Sequence, residues 1–360
     1  MKGALTHFPV IKTKVPSLDK KFNLNDRAER REYFDAKAGE EISKLKTFFE
    51  NNTFVAYLLG KKNSGKGTYT KLMAEIFGAD KIGHISVGDL VRETHKIIED
   101  PEERKKVLEY LEQHYRGYIS LDDAIDALIG KNQKVLLPTE FILALIKREI
   151  DKMGRKAVFL DGFPRDLDQI QYSLYFRDLI NYRSDPDIFV AINIPESVLD
   201  ERMRNRVVCP KCQAPRNLTT FPTKEAGYDK ETKKFFLKCD NPDCEGARMI
   251  GKEGDSAGIE SIRERLELDE KLIKKVMTLH GIPKVLLRNA IPVSSIEEGL
   301  VDDYEITPKY VFKHDEATGQ VTISEEPWIV KDDEGNDSYS LLAPPVVVGL
   351  IKQLVKALEL

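Results

Sequence analysis

Gly60-Lys61-Lys62-Asn63-Ser64-Gly65-Lys66-Gly67-Thr68 is the stretch whose reading decides the fold. It follows a short apolar run, Phe54–Leu59, and opens onto a helical pattern that begins near Lys66. Strand, glycine-rich loop and helix, in that order, form the context a phosphate-binding loop requires. Glycines let backbone N–H groups turn inward on phosphate oxygens, and the helix N-terminus adds its partial positive charge. Gly60, Ser64, Gly65, Lys66, Gly67 and Thr68 are therefore the candidate phosphate ligands. Lys66 can bridge β- and γ-phosphates, and Thr68 can approach an accompanying Mg²⁺. Gly67 separates the lysine from the threonine, a variant of the general pattern.

Outward from this loop the pattern alternates. Ile82–Val87, Ala157–Leu160 and Ile188–Ile194 read as short buried strands. Between them, residues 91–134 are charged and helical in tone, punctuated by Pro101 and Gly117, and Phe141–Met153 is an amphipathic helix. Strands alternating with helices predict an α/β fold with a central parallel sheet flanked by helices. Toward the N-terminus, Lys12–Asn25 is polar and weakly patterned. Asp26–Phe49 is a charged amphipathic helix, with Tyr33, Phe34, Ile42, Leu45, Phe48 and Phe49 near helical spacing. Nothing there carries chemistry, and the expectation is a clasp on the surface of the core. Toward the C-terminus, residues 207–258 lose helical periodicity. Ile259–His280 resumes as one long helix, and the chain after Pro292 becomes β-like. Lys309–His314, Gln320–Ser324 and Trp328–Lys331 alternate, and a last helix spans Val346–Leu360.

The 360 residues are 41% hydrophobic and 32% charged, enough for a sizeable core and a well-solvated surface. A net charge of −4 excludes bulk electrostatic binding of nucleic acid or anionic membrane, so any anion site is a local basic cluster. Met1–Lys14 lacks a continuous apolar stretch, and Leu341–Ile351, interrupted by Pro344 and Pro345, is too short to span a bilayer. The expectation is a cytoplasmic monomer without membrane attachment.

Arg92 and Arg165 each follow a strand-end turn, at the carboxyl edge where open α/β sheets bind ligands. The planar fork of arginine binds phosphate bidentately. Asp89 and Asp161 lie at the same strand ends, where a carboxylate can hold Mg²⁺ through water; Asp89 can alternatively brace its loop as a cap. Three ordered motifs now stand together: Gly65-Lys66-Gly67-Thr68, Ile85-Ser86-Val87-Gly88-Asp89-Leu90-Val91-Arg92, and Leu160-Asp161-Gly162-Phe163-Pro164-Arg165. Together they resemble the adenylate kinase family over roughly residues 51–300. The resemblance implies a phosphate-loop kinase core transferring a phosphoryl group from Mg·ATP to a nucleoside monophosphate. It implies a helical acceptor-binding insert at 90–140 and a lid at 207–258, with extensions at 1–50 and 301–360.

By the same resemblance, Val87, Arg92, Leu137, Gly162, Arg165 and Gln169 would bind the acceptor, and Lys66, Arg202, Arg206 and Arg265 would surround the transferring phosphate. Leu137 belongs to Val135-Leu136-Leu137-Pro138-Thr139-Glu140-Phe141, which resembles the family's apolar segment before its next helix. Gln169 stands where the family reads adenine, which implies AMP. Val87 replaces the family's usual threonine, as in related UMP/CMP-type kinases, but those carry Asn at the Gln position. Both acceptors stay open, with AMP the leading one. The chain between Arg92 and the apolar segment is longer than the family needs, with an added helix around Asp122–Ile129. Lys62 and Asn63 replace the family's Pro and Gly, and Asn tolerates the left-handed conformation the loop needs. Gly254-Asp255-Ser256-Ala257 stands where the family has Arg-x-Asp-Asp, so one lid arginine is missing, with Arg248 or Lys252 near enough to replace it.

The four cysteines, Cys209-x2-Cys212-x26-Cys239-x4-Cys244, form two knuckles. Four thiolates fill the tetrahedral sphere of Zn²⁺ and leave no open position, so the metal would be structural. A segment with so little core needs such a staple. A zinc-bearing lid resembles that of many bacterial adenylate kinases. Zinc ribbons elsewhere bind nucleic acid, which keeps open a nucleotide-dependent binding module without kinase turnover. Arg92, Arg165 and Gln169 argue against it, because a simple NTPase needs no acceptor site. Arg202 and Arg206 are expected four apart on one helix face before the lid, and Arg265 follows it in Ile262-Arg263-Glu264-Arg265-Leu266.

Overall fold

The computed structural model describes residues 8–130, 137–165, 167, 169–180, 184–252 and 254–360. Met1–His7, at the start of the stretch read for a leader, and Val135 and Leu136 of the apolar segment lie outside the described residues. The centre is a five-stranded parallel sheet. It is built from β1 (Val55–Gly60), β2 (Ile82–Ser86), β3 (Ala157–Asp161), β4 (Asp187–Asn193) and the strand Lys284–Arg288. Their order across the sheet is Lys284–Arg288, β4, β1, β3, β2. The chain passes from β1 to one side and later returns to the other, so connections diverge at the carboxyl end of β1. That switch point is where open sheets form their ligand crevice.

Nine helices among the described residues precede the C-terminal region: α1 (Arg27–Asn51), α2 (Lys66–Phe77), α3 (Val87–Ile97), α4 (Pro101–His114), α5 (Leu121–Leu128), α6 (Thr139–Met153), α7 (Gln169–Leu179), α8 (Glu196–Arg204) and α9 (Arg263–Met277). Strand side chains alternate between faces. Ala56, Leu58, Phe159 and Val190 face α1, α2 and the final helix, Ala343–Ala357. Val55, Tyr57, Leu59, Val158 and Leu160 face α3, α6 and α9. Both faces are covered, which is why the strands read as continuous apolar runs.

Four expectations from sequence change here. The N-terminal helix is not a surface clasp: Tyr33, Phe34 and Leu45 are wholly buried and complete one face of the core. Its buried Lys37 pairs with Asp302 at 2.5 Å, and Glu305 accepts from Tyr33 Oη at 2.6 Å and Thr13 Oγ1 at 2.5 Å. Charges this deep persist only when paired and hydrogen-bonded, so the two terminal regions are fastened together. Val87 opens α3 rather than ending β2, because Ser86 caps the helix by accepting from the Asp89 N–H. The single helix expected over Ile259–His280 is a 3₁₀ turn, Gly258–Ile262, followed by α9, with the turn pinned where Ile259 N–H donates to Asp200 Oδ1 at 3.0 Å. Arg202 and Arg206 do not share a helix face. α8 stops at Arg204, and Arg206 begins a strand, Arg206–Val208, paired antiparallel with Pro215–Asn217 and Ile250–Gly251.

The final helix starts at Ala343, earlier than its periodicity suggests. Pro344 and Pro345 fall in its first turn, where no N–H is needed. Before it, the strands Pro308–His314 and Val321–Pro327 form an antiparallel hairpin that lies on residues 219–235. Tyr310 N–H donates to Thr219 O at 2.7 Å, His314 stacks on Tyr228 at 4.3 Å, and Phe312 packs on Phe235 at 5.5 Å. Among the described residues no helix is long and apolar enough to cross a membrane.

Candidate active site

The loop between β1 and α2 has the backbone its sequence predicts. Gly65, the residue that caps α2, sits at φ 99°, and Asn63 takes the left-handed conformation at φ 67°. Lys66 Nζ donates to Gly60 O at 2.7 Å and Lys61 O at 3.1 Å and lies 3.7 Å from Asp161. Ser64 Oγ and Asn63 Nδ2 are buried and have no hydrogen-bond partner among the described residues. Orphaned polar atoms in a loop beside a helix N-terminus fit a site made for phosphate oxygens. The loop borders two cavities. The larger, about 660 Å³, is lined by Gly65, Gly67, Thr68, Asp161, Arg202 and Arg206, among others.

The second cavity, about 440 Å³, opens on the other side of Lys66. Arg92 enters from α3 and Arg165 from the turn after β3. Their guanidinium groups converge over Gly88, where a Cβ would come within 3.2 Å of Arg165 Nη2 and 3.5 Å of Arg92 Nη1. Glycine is the residue that permits this approach. Arg265 arrives from α9, donates to Arg165 O at 3.4 Å and is held by Asp269 at 2.8 Å. Burial, and then the Arg265 cation, hold the Arg165 guanidinium below its ordinary pKa. Like charges gathered in a half-buried cleft are the signature of an anion site. Asp161 and Gly162 line the same cavity.

Other sequence-predicted residues sit differently. The Asp89 carboxylate is paired with Arg92, and its backbone N–H donates to Ser86 Oγ, the cap of α3. Val87 is fully buried and Leu137 half-buried, and neither lines the smaller cavity among the described residues. Gln169 is buried and braces a loop: Oε1 accepts from Arg165 N–H at 2.7 Å, and Nε2 donates to Thr139 Oγ1 at 3.2 Å. Arg202 donates to Asn63 O at 3.2 Å. Arg206 donates to Asn63 Oδ1 at 3.0 Å and pairs with Asp255 at 2.5 Å. Arg248 is turned away, bonded to Asp229 at 2.8 Å and resting on the Phe236 ring at 4.3 Å. Sequence reasoning missed Asp269, Asp255 and the bridging role of Asn63. Asp269 had a signal, four residues after Arg265 on one helix; the other two had none.

The four cysteine Sγ atoms lie within 4.8 Å of one another, with Cys212 and Cys239 at 3.7 Å. Zinc–sulfur bonds of about 2.3 Å in a tetrahedron place sulfurs about 3.8 Å apart, so the donor set fits Zn²⁺. The backbone N–H of Cys212, above all, draws the Cys209 thiol down to about 6.

A doubly covered parallel sheet, a phosphate loop at its switch point and arginines converging on the same crevice define a phosphate-loop nucleotide kinase fold. No family model matches the chain. The adenylate kinase of Thermotoga petrophila is 32% identical over 237 residues, covering 65% of this chain and 89% of that protein. The adenylate kinase of Thermotoga maritima is 31% identical over the same shares, and that of Clostridium acetobutylicum 28% identical over 230 residues, 64% of this chain and 87% of that protein. The chain belongs to the adenylate kinase family.

Proposed function

We propose that this protein is a nucleoside monophosphate kinase that transfers the γ-phosphoryl group of Mg·ATP to AMP, giving two ADP. The observation that carries the reading is the convergence of Arg92, Arg165 and Arg265 on one cavity facing Lys66. An NTPase without an acceptor has no use for that second cluster.

In this reading the triphosphate lies along Gly60, Ser64, Gly65, Lys66, Gly67 and Thr68, with Arg202 and Arg206 over it. The acceptor phosphate sits on Arg92 and Arg165. An oxygen of that phosphate attacks Pγ. The new O–P bond forms as the bond from Pγ to the β–γ bridging oxygen breaks, and the electron pair leaves with ADP. No covalent enzyme intermediate forms. Positioning and charge neutralisation carry the catalysis. Lys66 and Arg265 stabilise the charge spreading over the transferring group. Asp161 with Thr68 would hold the Mg²⁺ that enters with ATP, which would supply neutralisation of the phosphate charge. Residues 90–140 act as the acceptor-binding insert and 207–258 as a lid that excludes water. Cys209, Cys212, Cys239 and Cys244 would hold a structural Zn²⁺. The protein works as a cytoplasmic monomer.

Gln169 supports AMP through its place in the motif; it would have to exchange its Thr139 bond for the base. Val87 in place of the family's usual threonine favours a pyrimidine monophosphate as the second reading.

A coupled assay of the purified chain against AMP, CMP, UMP and GMP decides the acceptor, with AMP expected to be fastest. Lys66→Met is expected to lower kcat by at least about 100-fold, the usual loss when a preorganised charge-stabilising donor is removed, with an unchanged unfolding profile. Absence of transfer to all four acceptors overturns the reading.

A further inference from the structure

We infer that Lys62, in the phosphate loop, is a phosphate-contacting residue that lends its ammonium to the transferring phosphoryl group alongside Lys66. This rests on the phosphoryl-transfer reading and names a residue that the loop motif does not assign.

Three observations carry it. Lys62 lines the 440 Å³ cavity that lies between the phosphate loop and the convergent arginines, where the moving group must pass. Its side chain is exposed, and among the described residues no carboxylate lies within ion-pair reach of it. The other cations of this cavity are tethered or stationed at its acceptor end. Lys66 is bonded to loop carbonyls, Arg92 to Asp89 and Arg265 to Asp269. Among the described residues that line this cavity, Lys62 is an exposed cation of the phosphate loop with no ion-pair partner.

The backbone beneath it is fixed on both flanks, which gives the long side chain a stationary base. The preceding residue, Lys61, is buried and anchored between Glu196 at 3.3 Å and Asp333 at 3.4 Å. The following residue, Asn63, is held in its left-handed conformation by bonds from Arg202 and Arg206. Adjacent lysines thus divide the work: Lys61 is consumed by the scaffold and Lys62 is free for the cavity. The lid cations Arg248 and Lys252 do not line it among the described residues.

The cavity's cations exceed its two carboxylates, Asp161 and Asp269, by three when Lys62 is counted. That excess suits the several negative charges of two facing nucleotides. Lys62 makes and breaks no bond. It stabilises charge as the acceptor oxygen bonds to Pγ and the electron pair of the broken bond passes to ADP.

The test uses the full chain with Lys62→Met and Lys62→Arg. Steady-state rates in both directions are measured beside thermal unfolding and binding of diadenosine pentaphosphate. The Met variant is expected to lose roughly 10- to 100-fold in kcat, less than for a buried donor, with kcat/KM falling in parallel. The Arg variant is expected to recover most of that loss, and the bisubstrate probe to bind more weakly to the Met variant alone. A Met variant that keeps kcat and probe affinity within about twofold of the wild type overturns the assignment. If the Met variant does not fold, Lys62→Gln takes its place under the same criteria. Wild-type protein that transfers no phosphoryl group overturns the underlying reading, and the inference with it. An active wild type with an equally active Met variant overturns the inference alone.

Discussion

Asp269 shows what a single residue contributes here. Its carboxylate is nearly inaccessible, 5% exposed, yet it faces Arg265, Lys66 and Arg165. Burial raises its pKa above the ordinary Asp value despite the Arg265 cation. A group whose folded pKa is raised contributes stability below the unfolded value, near pH 4, and loses it as pH rises through the folded one. Asp269→Asn is therefore expected to gain stability relative to wild type between about pH 4 and pH 7, measured as urea midpoints at both ends. Its kcat should fall, because Arg265 loses its tether. Parallel stability curves across that window would contradict the assignment. Asp269 was half legible in the sequence: the Arg265 spacing was visible, but its burial came from the packing of α9 on the sheet. Asn63 was legible only as a residue that tolerates left-handed backbone. That its side chain also receives Arg206 depends on a strand more than a hundred residues away.

Elements are where the sequence was read best. β1, the phosphate loop and α2 emerged because each is set by contacts within a few residues. The boundaries that moved did so for stated reasons: a Ser86 cap, an Asp200 pin on the turn before α9, and prolines admitted to a first helical turn. The cysteine segment is also an element whose stability is local. Its strands are two to four residues long and its cluster of buried apolar residues is small, so a zinc held by the four cysteines, as proposed, would carry much of its stability. Metal analysis is expected to find one zinc equivalent per chain. Chelation under reducing conditions should release it and lower the thermal midpoint of the cysteine segment before the core unfolds. Activity lost at once on metal removal, with the unfolding profile unchanged, would point to a catalytic metal instead.

At the scale of the whole molecule the C-terminal region reaches two working parts. Its hairpin lies on the cysteine segment, and its turn at Asp332–Asn336 touches the phosphate loop and the start of α8. Pro195 leaves α8 without a side-chain cap of its own, and Asp333 Oδ1 supplies one by accepting from Glu196 N–H at 2.8 Å. Its other oxygen lies 3.4 Å from the buried Lys61. Asp333→Ala is expected to destabilise the protein by about 1–2 kcal/mol, the range for a lost helix cap beside a partly exposed ion pair. Denaturant unfolding measures it, and an unchanged midpoint would remove Asp333 from this role. The sequence by itself determined the α/β class, the phosphate loop, the strand-end positions of Arg92 and Arg165 and the cysteine set, because each is written in short-range periodicity or fixed motif spacing. Tertiary structure alone decided that the terminal helices complete the core, that Lys62 faces the cavity while Lys61 is buried, and that Asp333 caps α8. Those outcomes depend on which distant segments meet, and pairing between segments hundreds of residues apart leaves no local pattern in the chain.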